Sequence, residues 1–345
     1  MKKNKYTYYL QNIVITLLFI TALSSCQFEE LAEGCDEKGV IMLNLGLDGM
    51  STRAAGDTEE TISTVRIFVF AGDVLEVNRL FTKEETNFTN PIRLEVLIGD
   101  KEIYVVANES VALAAKLNNV NTKNDLFSIT ADDITSQLTL PLVMTGSASA
   151  TVIGITEEII YLTRVAAKIS LQLMKSSVNE ADAVEITKVS FISNTSKSTL
   201  FPIPPATALT LLYPADYWNH VYALPETLTL TTTSQAIGNF YVYENLGNSH
   251  TNKGVATQLE LEAIYNNIDT KYRVYINEDI TSPGTGNPGD PNSSIVDVND
   301  HYYNIWRNYH YQLTGTISGI GEYTSISVEV KILPWTVHEY AVPLE

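Results

Sequence analysis

Apolar and polar residues alternate with a period of two in many short segments of this chain. One such segment, close to the N-terminus, would place four aliphatic side chains on one face of a strand: Ile41, Leu43, Leu45 and Leu47. A segment close to the C-terminus has the same pattern: Ile326, Val328, Val330 and Ile332. Successive side chains of a β-strand point to opposite faces, and segments with the helical period of 3.6 are scarce here. The chain is therefore predicted to be mainly β.

Further segments of this kind extend over the rest of the chain. Strands are predicted at 65–69, 92–97, 103–107, 138–144, 158–162, 186–192, 228–232, 240–243, 258–265, 271–276, 310–318 and 325–332. A short helix is predicted at 110–117, with Asn108 or Ser110 as its N-cap. Two successive blocks of short strands indicate two β-sandwiches, and the block that opens at Arg164 places the domain boundary near residue 163.

The first 25 residues have the features of a lipoprotein signal peptide. A basic start precedes an apolar stretch at residues 13–23, and small residues lead up to Cys26. The apolar stretch is too short for a permanent membrane-spanning helix. We therefore expect export, removal of residues 1–25 and attachment of lipid to Cys26, so that the protein works outside the cytoplasm. A plain secretory signal and a short transmembrane anchor are the alternatives.

The net charge limits the possible partners of the chain, and the cysteine content limits how its fold can be stabilised. The chain has 22 basic and 40 acidic residues, which gives a net charge of −18 at pH 7. Nucleic acids and anionic lipids need basic surfaces, so this composition argues against both as partners. Of the two cysteines, Cys35 has no partner if Cys26 carries lipid. No disulfide framework then holds the fold together, and its stability must come from core burial.

No arrangement of residues in the sequence indicates an enzyme or a cofactor site. The five histidines are scattered without the spacing of a zinc site, and neither a nucleophile elbow nor a phosphate-binding loop is present. The acidic residues Asp290, Asp297 and Asp300 lack the spacing and the glycine of a calcium-binding EF-hand loop. We predict a protein that is not an enzyme and that has no metal or other cofactor.

A cluster of aromatic residues near the C-terminus allows two interpretations. Tyr302, Trp306 and Tyr309 lie close together in the sequence. Aromatic rings stack on sugars, and they also pack in cores and at strand ends. In the first interpretation, the chain is a surface lipoprotein that binds polysaccharide, keeps its lipid and stays monomeric. In the second, these residues pack against the core, which is the more common role of alternating tyrosines that enter a strand.

The segment between the first alternating strand and the rest of the chain is suited to proteolysis. Residues 50–57 are mostly small or polar and contain one arginine, Arg53, which is followed by Ala54. Cleavage after Arg53 would release the strand at 41–47 and open an apolar groove. The C-terminal segment of a neighbouring copy, residues 325–345, would then fill the groove by donor-strand exchange. In the alternative interpretation, both segments are ordinary strands and Arg53 is an ordinary surface residue.

Several stretches together resemble the fimbrillins, the major structural subunits of type V pili in Bacteroides-like bacteria. In chain order they are the lipid-attachment motif at Cys26, the cut site at 52–54, the strand at 64–70, and residues 161–169, 239–245, 307–311 and 328–335. Each motif alone is weak, but their order and spacing are specific. The resemblance covers nearly the whole length of the chain.

The resemblance implies two tandem transthyretin-like β-sandwich domains with short helices, at 54–163 and 164–345. It also implies a lipoprotein precursor in the outer membrane. After an arginine-specific protease has removed the propeptide 26–53, copies of the chain and accessory fimbrial subunits would build a cell-surface filament. Host or bacterial surfaces are the expected targets of adhesion. The alternative within the family is an anchor or accessory subunit that keeps its lipid, but the ten residues that follow Trp335 favour a shaft subunit.

Overall fold

The structure of the chain is a computed structural model. It describes residues 37–47, 58–86, 88, 91–132, 134, 136–202, 217–222, 224, 226–246, 255–276, 280–282, 303–321 and 325–335. None of the helices in these ranges is long and apolar enough to cross a membrane. The described fold consists mainly of β-strands, as the period-two pattern predicts.

The described strands up to Arg164 form one continuous path. They are β1 (Lys38–Leu47), β2 (Thr64–Ala71), β3 (Val74–Thr82), β4 (Ile92–Leu97), β5 (Gly99–Ala107), β6 (Met144–Val152) and β7 (Ile155–Arg164). Their order is β3-β2-β5-β6-β7-β1-β4. β7 pairs with β6 near its C-terminal end, through Thr163 and Arg164, and with β1 over its preceding residues. The path therefore turns a corner at β7 and forms two layers.

The two layers of this first sandwich enclose one core. Buried aliphatic side chains from both layers contribute to it: Ile41, Leu43, Val65, Ile67, Leu94, Ile103, Val105 and Ile160. β2 is buried on both of its faces, since six consecutive residues from Val65 to Phe70 are buried. Its second face needs a cover of its own, which the helices provide.

Two short helices cover the outer face of β2 and β5: α1 (Val111–Leu117) and α2 (Lys123–Ser128). The hydroxyl of Ser110 accepts a hydrogen bond from the Leu113 N–H at 3.0 Å, so the predicted N-cap of α1 is confirmed. Thr122 and Asp125 form a capping box at the start of α2. The apolar side chains that join the helices to β2 are Phe68, Phe70, Leu113, Leu117 and Leu126.

The strands after Val165 form a second sandwich. They are β8 (Ala166–Lys175), β9 (Val184–Thr195), β10 (Tyr217–Val221), β11 (Leu228–Thr229), β12 (Gln235–Tyr243), β13 (Gln258–Tyr265), β14 (Ile268–Tyr275), β15 (Ile280–Ser282), β16 (Tyr309–Ile317) and β17 (Ile326–Pro334). One sheet has the order β10-β9-β13-β14, with β11 also paired to β9, and the other has the order β12-β8-β16-β17-β15. Across the core, the rings of Phe191 and Phe240 stack with their centroids 5.0 Å apart.

Not every predicted element is present. The predicted strand at 138–144 is wrong, because only Met144 belongs to a strand. Pro141 has no N–H to donate to a ladder, and Leu142 instead packs beside Trp335 where the two blocks of strands meet. Five elements were not predicted: β3, β6 beyond Met144, β10, β15 and α2. β3 shows no clean alternation of buried and exposed residues, since most of its side chains are half-buried.

Candidate functional site

β1 lies inside its sheet and not at the edge. It runs parallel to β7, with a register that continues to Leu47, and its other neighbour is β4. Ile41 and Leu43 are fully buried, and Leu45 packs partly against the same core. The side chain of Leu47 lies outside the described residues. The three described members of the predicted aliphatic set therefore face the core.

The backbone of β1 fits closely against its neighbours at two glycines. A Cβ atom on Gly46 would lie 2.8 Å from a ring carbon of Tyr161, and one on Gly39 would lie 2.3 Å from Cγ1 of Val152. Real Cβ atoms do not approach other heavy atoms so closely, so a side chain at either position would push its neighbour away. Because these two residues have no side chain, the backbone of β1 can lie close to Tyr161 and Val152.

β4 depends on β1 for its place in the sheet. It is the last strand in the described order, and β1 is its neighbour there. Its core-facing side chains, Ile92, Leu94 and Val96, are almost completely buried. Without β1, β4 would lose this ladder partner and one side of the β7 backbone would be open. We call the space that β1 fills between β7 and β4 the β1 groove.

β17, which contains the other predicted aliphatic set, is part of the second sandwich. It pairs antiparallel with β16 over its whole length and parallel with β15 on the other side. Ile326, Val330 and Ile332 are buried in the core of this sandwich, and Val328 packs partly against it. The alternating pattern of β17 is therefore explained by packing within the chain, because its aliphatic face already contacts the core of the second sandwich.

A buried carboxylate marks the place where the two sandwiches meet. Glu59 lies in the 3₁₀ turn Thr58–Glu60, just before β2. Lys168 of β8 donates to its two carboxylate oxygens at 2.8 and 3.1 Å, and the hydroxyl of Tyr241 also donates to it. The indole N–H of Trp335 donates to Glu59 Oε2 at 3.1 Å. Three distant segments of the chain therefore converge on one side chain.

Arg164 connects the same segments through their main chains. Its Nε donates to the carbonyl oxygen of Glu59 at 3.3 Å, and its Nη1 donates to the carbonyl oxygen of Trp335 at 3.0 Å. The guanidinium carbon lies 4.5 Å from the centre of a Trp335 ring, which is a cation–π contact. We call Glu59, Arg164, Lys168, Tyr241 and Trp335 the Glu59 cluster.

Two groups in and beside the cluster have shifted pKa values. Burial by itself acts to raise the pKa of Glu59, but the hydrogen bonds from Lys168 and Tyr241 outweigh it and hold the pKa below its usual range. His310 lies next to the cluster on β16, with Nε2 2.9 Å from the hydroxyl of Ser170. Burial, together with the charge of Lys168, lowers the pKa of His310 to about 4. Glu59 is therefore charged and His310 neutral at pH 7.

Several residues that the sequence singles out cannot be placed. Cys26, Arg53 and Ala54 lie outside the described residues, and so does Tyr302. Tyr309 is buried in the second sandwich, and Trp306 packs partly against the same core. These two rings form part of the packing and offer no open platform for a sugar. Within the described ranges, no group of three or more His, Cys, Asp and Glu side chains is arranged to hold a metal ion.

Sequence reasoning missed the Glu59 cluster. Its members come from residues 59, 164–168, 241 and 335, and no local motif connects them. The one available signal is the long polar side chain of Lys168, which interrupts an otherwise apolar run from Val165 to Ile169. Such a residue needs a partner if its strand is buried, but the identity of the partner depends on tertiary structure.

The chain is similar to fimbrial proteins in sequence. Residues 42–188 match the family profile described as major fimbrial subunit protein (FimA). The chain is 34% identical over 342 residues to the major fimbrium subunit FimC of Porphyromonas gingivalis. This alignment covers 95% of the chain and 70% of FimC.

Solved structures have the same fold at lower sequence identity. A fimbrilin (FimA) from Porphyromonas gingivalis W83 superposes with a TM-score of 0.55 and 17% identity, over 88% of this chain and 99% of that chain. The tip fimbrial protein Mfa3 from Porphyromonas gingivalis, with a C-terminal truncation, gives a TM-score of 0.56 and 15% identity, over 87% and 100%. The predicted fimbrillin fold, mainly β with two tandem sandwiches, is confirmed.

The relatives are structural subunits of fimbriae and not enzymes, which confirms the prediction that this chain is not an enzyme. The identity to FimC extends along almost the entire chain, so it is not confined to one shared domain. The chain therefore belongs to the family of major fimbrial subunits, the structural proteins of cell-surface fimbriae.

Proposed function

We propose that this chain is a shaft subunit of a fimbrium that polymerises by protease-triggered donor-strand exchange. The observation that carries the proposal is the position of β1. It is an internal strand in which Ile41 and Leu43 are fully buried, yet it precedes the Arg53 site and is joined to the rest of the fold by the segment at 48–57. Cleavage there would leave β1 bound by noncovalent contacts alone.

An empty β1 groove would be unstable. Complete burial of an aliphatic side chain contributes roughly 1.5–3 kcal/mol, so loss of Ile41 and Leu43 would remove about 3–6 kcal/mol. The ladder hydrogen bonds to β7 and the support of β4 would be lost as well. A strand from another copy that restores these contacts would therefore bind tightly.

The donor in this proposal is the C-terminal segment 325–345, and its two parts differ. If β17 itself were the donor, Val330 and Ile332 would have to leave the core of the second sandwich, and the ladder to β16 would break. Use of the residues after Trp335 leaves that core intact. We therefore place the entering part of the donor after Trp335. The predicted donor role of the aliphatic face of β17 is the alternative, and the deletion of residues 336–345 described below distinguishes the two.

Maturation in this proposal follows one order. The chain is exported, loses residues 1–25, receives lipid at Cys26 and reaches the outer membrane. An arginine-specific protease then cuts after Arg53, which discards the propeptide 26–53 and leaves domains at 54–163 and 164–345. The 22 basic and 40 acidic residues fall by five and six to 17 and 34, so the net charge becomes −17. The partners are further copies and accessory fimbrial subunits, and the filament supports adhesion to host or bacterial surfaces.

Treatment of the protein without its signal peptide by an arginine-specific protease tests the proposal. Analysis of the unboiled product on a denaturing gel should show a ladder of multimers, and each band should begin at Ala54. Arg53→Ala should remain full-length and monomeric, whereas Arg53→Lys with a lysine-specific protease should restore the ladder. A cut chain that keeps residues 37–47 and stays monomeric would refute donor-strand exchange and favour a lipid-retaining anchor subunit.

Deletion variants then locate the donor. Removal of residues 336–345 should give a chain that folds, is cut after Arg53 and does not polymerise. Normal polymers from this variant would show that the donor is not in those residues. Removal of 325–345 also takes away β17, so it should abolish folding of the second sandwich as well.

A further inference from the structure

Trp335 is fixed in place by contacts to its backbone, its indole N–H and its ring. Its backbone N–H donates to the carbonyl of Asn308 at 2.9 Å, its carbonyl accepts from Arg164, and its indole N–H donates to Glu59. Its ring stacks on Tyr241 with centroids 5.8 Å apart and lies under the Arg164 guanidinium. All three polar groups and the ring of Trp335 therefore have partners that define a single orientation.

Trp335 directly precedes residues 336–345, the entering part of the donor proposed above. β17 ends at Pro334, so Trp335 is the first residue beyond the ladder with β16. The position of Trp335 therefore fixes the point at which this part of the donor begins. A segment that starts from a fixed residue can take fewer directions than one that starts from a mobile residue. This preorganisation favours binding to a partner.

Glu59 is the member of the cluster that ties Trp335 to the start of the mature chain. With Ala54 as the first residue, Glu59 is the sixth, so it remains in the protein after cleavage at Arg53. Its carboxylate binds Lys168, Tyr241 and the Trp335 indole together. Without this carboxylate, the indole N–H and the Lys168 ammonium would lose their shared acceptor.

We propose that Glu59 is a positioning residue for assembly: it fixes Trp335 and thereby the point from which the donor segment reaches a second copy of the chain. The inference rests on the donor-strand exchange proposed above. Glu59 acts on the donor of its own chain, whereas the β1 groove that receives a donor lies between β7 and β4. The effect of Glu59 on assembly is therefore directional, and this separates positioning from a general contribution to stability.

A one-step dimerisation assay measures donor and acceptor separately. Arg53→Ala keeps β1 in its groove, so this copy acts only as a donor. A cut copy that lacks residues 336–345 has an open groove and acts only as an acceptor. Glu59→Gln in the donor should slow formation of the unboiled dimer about tenfold, as expected for loss of one charge-assisted hydrogen bond. The same substitution in the acceptor should leave the rate unchanged.

Glu260→Gln is a matched control. The side chain of Glu260 has the same exposed fraction as that of Glu59, 11%, and is bound by Lys271 and Arg273 in the second sandwich. It does not touch Trp335 in the described contacts, so its loss in the donor should leave the dimerisation rate unchanged. Trp335→Phe keeps a ring but removes the indole N–H, and it should slow the reaction in the donor alone, like Glu59→Gln.

The outcomes separate the two proposals. Equal slowing by Glu59→Gln in donor and acceptor, or no slowing in either, would overturn the positioning role. Slowing by Glu260→Gln to the same extent would also overturn it, because the effect would then reflect general stability. Failure of the unmodified donor and acceptor to form any dimer would refute the strand exchange itself.

Discussion

β1 and β17 have the same sequence pattern but different positions in the fold. β1 lies between β7 and β4 in the first sandwich, and it is followed by the segment that contains Arg53. β17 lies between β16 and β15 in the second sandwich. Both bury aliphatic side chains completely. Burial alone therefore does not distinguish a replaceable strand from a permanent one.

The difference lies in how each strand is connected and paired. β1 forms a parallel ladder with β7, while β17 forms an antiparallel ladder with β16 over nine residue pairs. Parallel pairing is slightly less stable per residue. β1 can also be separated from its domain by one cut, whereas β17 is anchored at its end by the Glu59 cluster. β1 thus has the features of an exchangeable strand and β17 those of a fixed one.

The largest effect is expected from a charge in the core position of β17. Ile332 is completely buried, so Ile332→Asp should lower the free energy of unfolding by about 5 kcal/mol and leave the second sandwich unfolded. Thermal unfolding monitored by circular dichroism measures this. Lys331→Asp, at the exposed neighbouring position, is the control and should melt like the wild type. A normal melting curve for Ile332→Asp would show that β17 is not part of a permanent core.

The equivalent change in β1 should depend on cleavage. Leu43→Asp should destabilise the uncut chain by about 3–5 kcal/mol, because it places a charge at a fully buried position. After cleavage at Arg53 the substituted strand is discarded, so polymers of this variant should be as stable as wild-type polymers. Asn44→Asp, on the outward side, should affect neither form. A defect of Leu43→Asp that persists in the polymer would contradict release of β1.

Acid should weaken the junction between the sandwiches. The pKa of His310 is lowered from 6.5 to about 4 in the fold, so stability is fully present above pH 6.5 and falls by about 3 kcal/mol as the pH drops to 4. The charged groups that face it are Lys168 and Glu59. Because the pKa of Glu59 is also lowered, its contribution persists above pH 4.5 and is lost at lower pH.

Denaturant titrations at pH 7, 5.5 and 4 measure this dependence. His310→Gln removes the histidine titration, so its stability should change less between pH 6.5 and 4.5 than that of the wild type. His220→Gln is the control for loss of a buried histidine elsewhere in the fold. The pKa of His220 is also lowered by burial, but His220 lies away from the cluster, among the rings of Trp218, Tyr222 and Phe240. An unchanged pH profile for His310→Gln would exclude His310 as its source.

The smallest effect is expected at the glycine beside Tyr161. Gly46→Val should destabilise the uncut chain by about 1–3 kcal/mol, because the new Cβ would meet the Tyr161 ring. Tyr161→Ala in the same chain should relieve the clash and restore most of the stability, as urea titration would show. If Gly46→Val alone is neutral, the close fit of β1 to β7 does not contribute to its retention.

Much of the fold could be predicted from the sequence because strands have a local signature. The alternation at residues 41–47 and 326–332 identifies both strands and their buried faces, and Ser110 identifies the start of α1. The pattern does not specify which sheet a strand joins. That choice is set by contacts between distant residues, so the sequence presented β1 and β17 as interchangeable.

The Glu59 cluster could not be predicted for the same reason, because it depends on contacts between distant residues. Glu59 appears in an acidic stretch and looks like a solvated residue, but it is buried by segments more than one hundred positions away. The error at 138–144 has a related cause. Leu138 and Leu142 alternate like strand residues, although Pro141 interrupts the segment and their apolar side chains pack at the junction.

Hydrogen exchange measured by mass spectrometry, before and after cleavage at Arg53, tests the contrast between the two strands most directly. We expect the peptide that contains residues 38–47 to be protected in the uncut chain and absent from the polymer. The peptide that contains 326–334 should stay protected throughout. Loss of protection at 326–334 on polymerisation, while 38–47 remains bound and protected, would contradict the account.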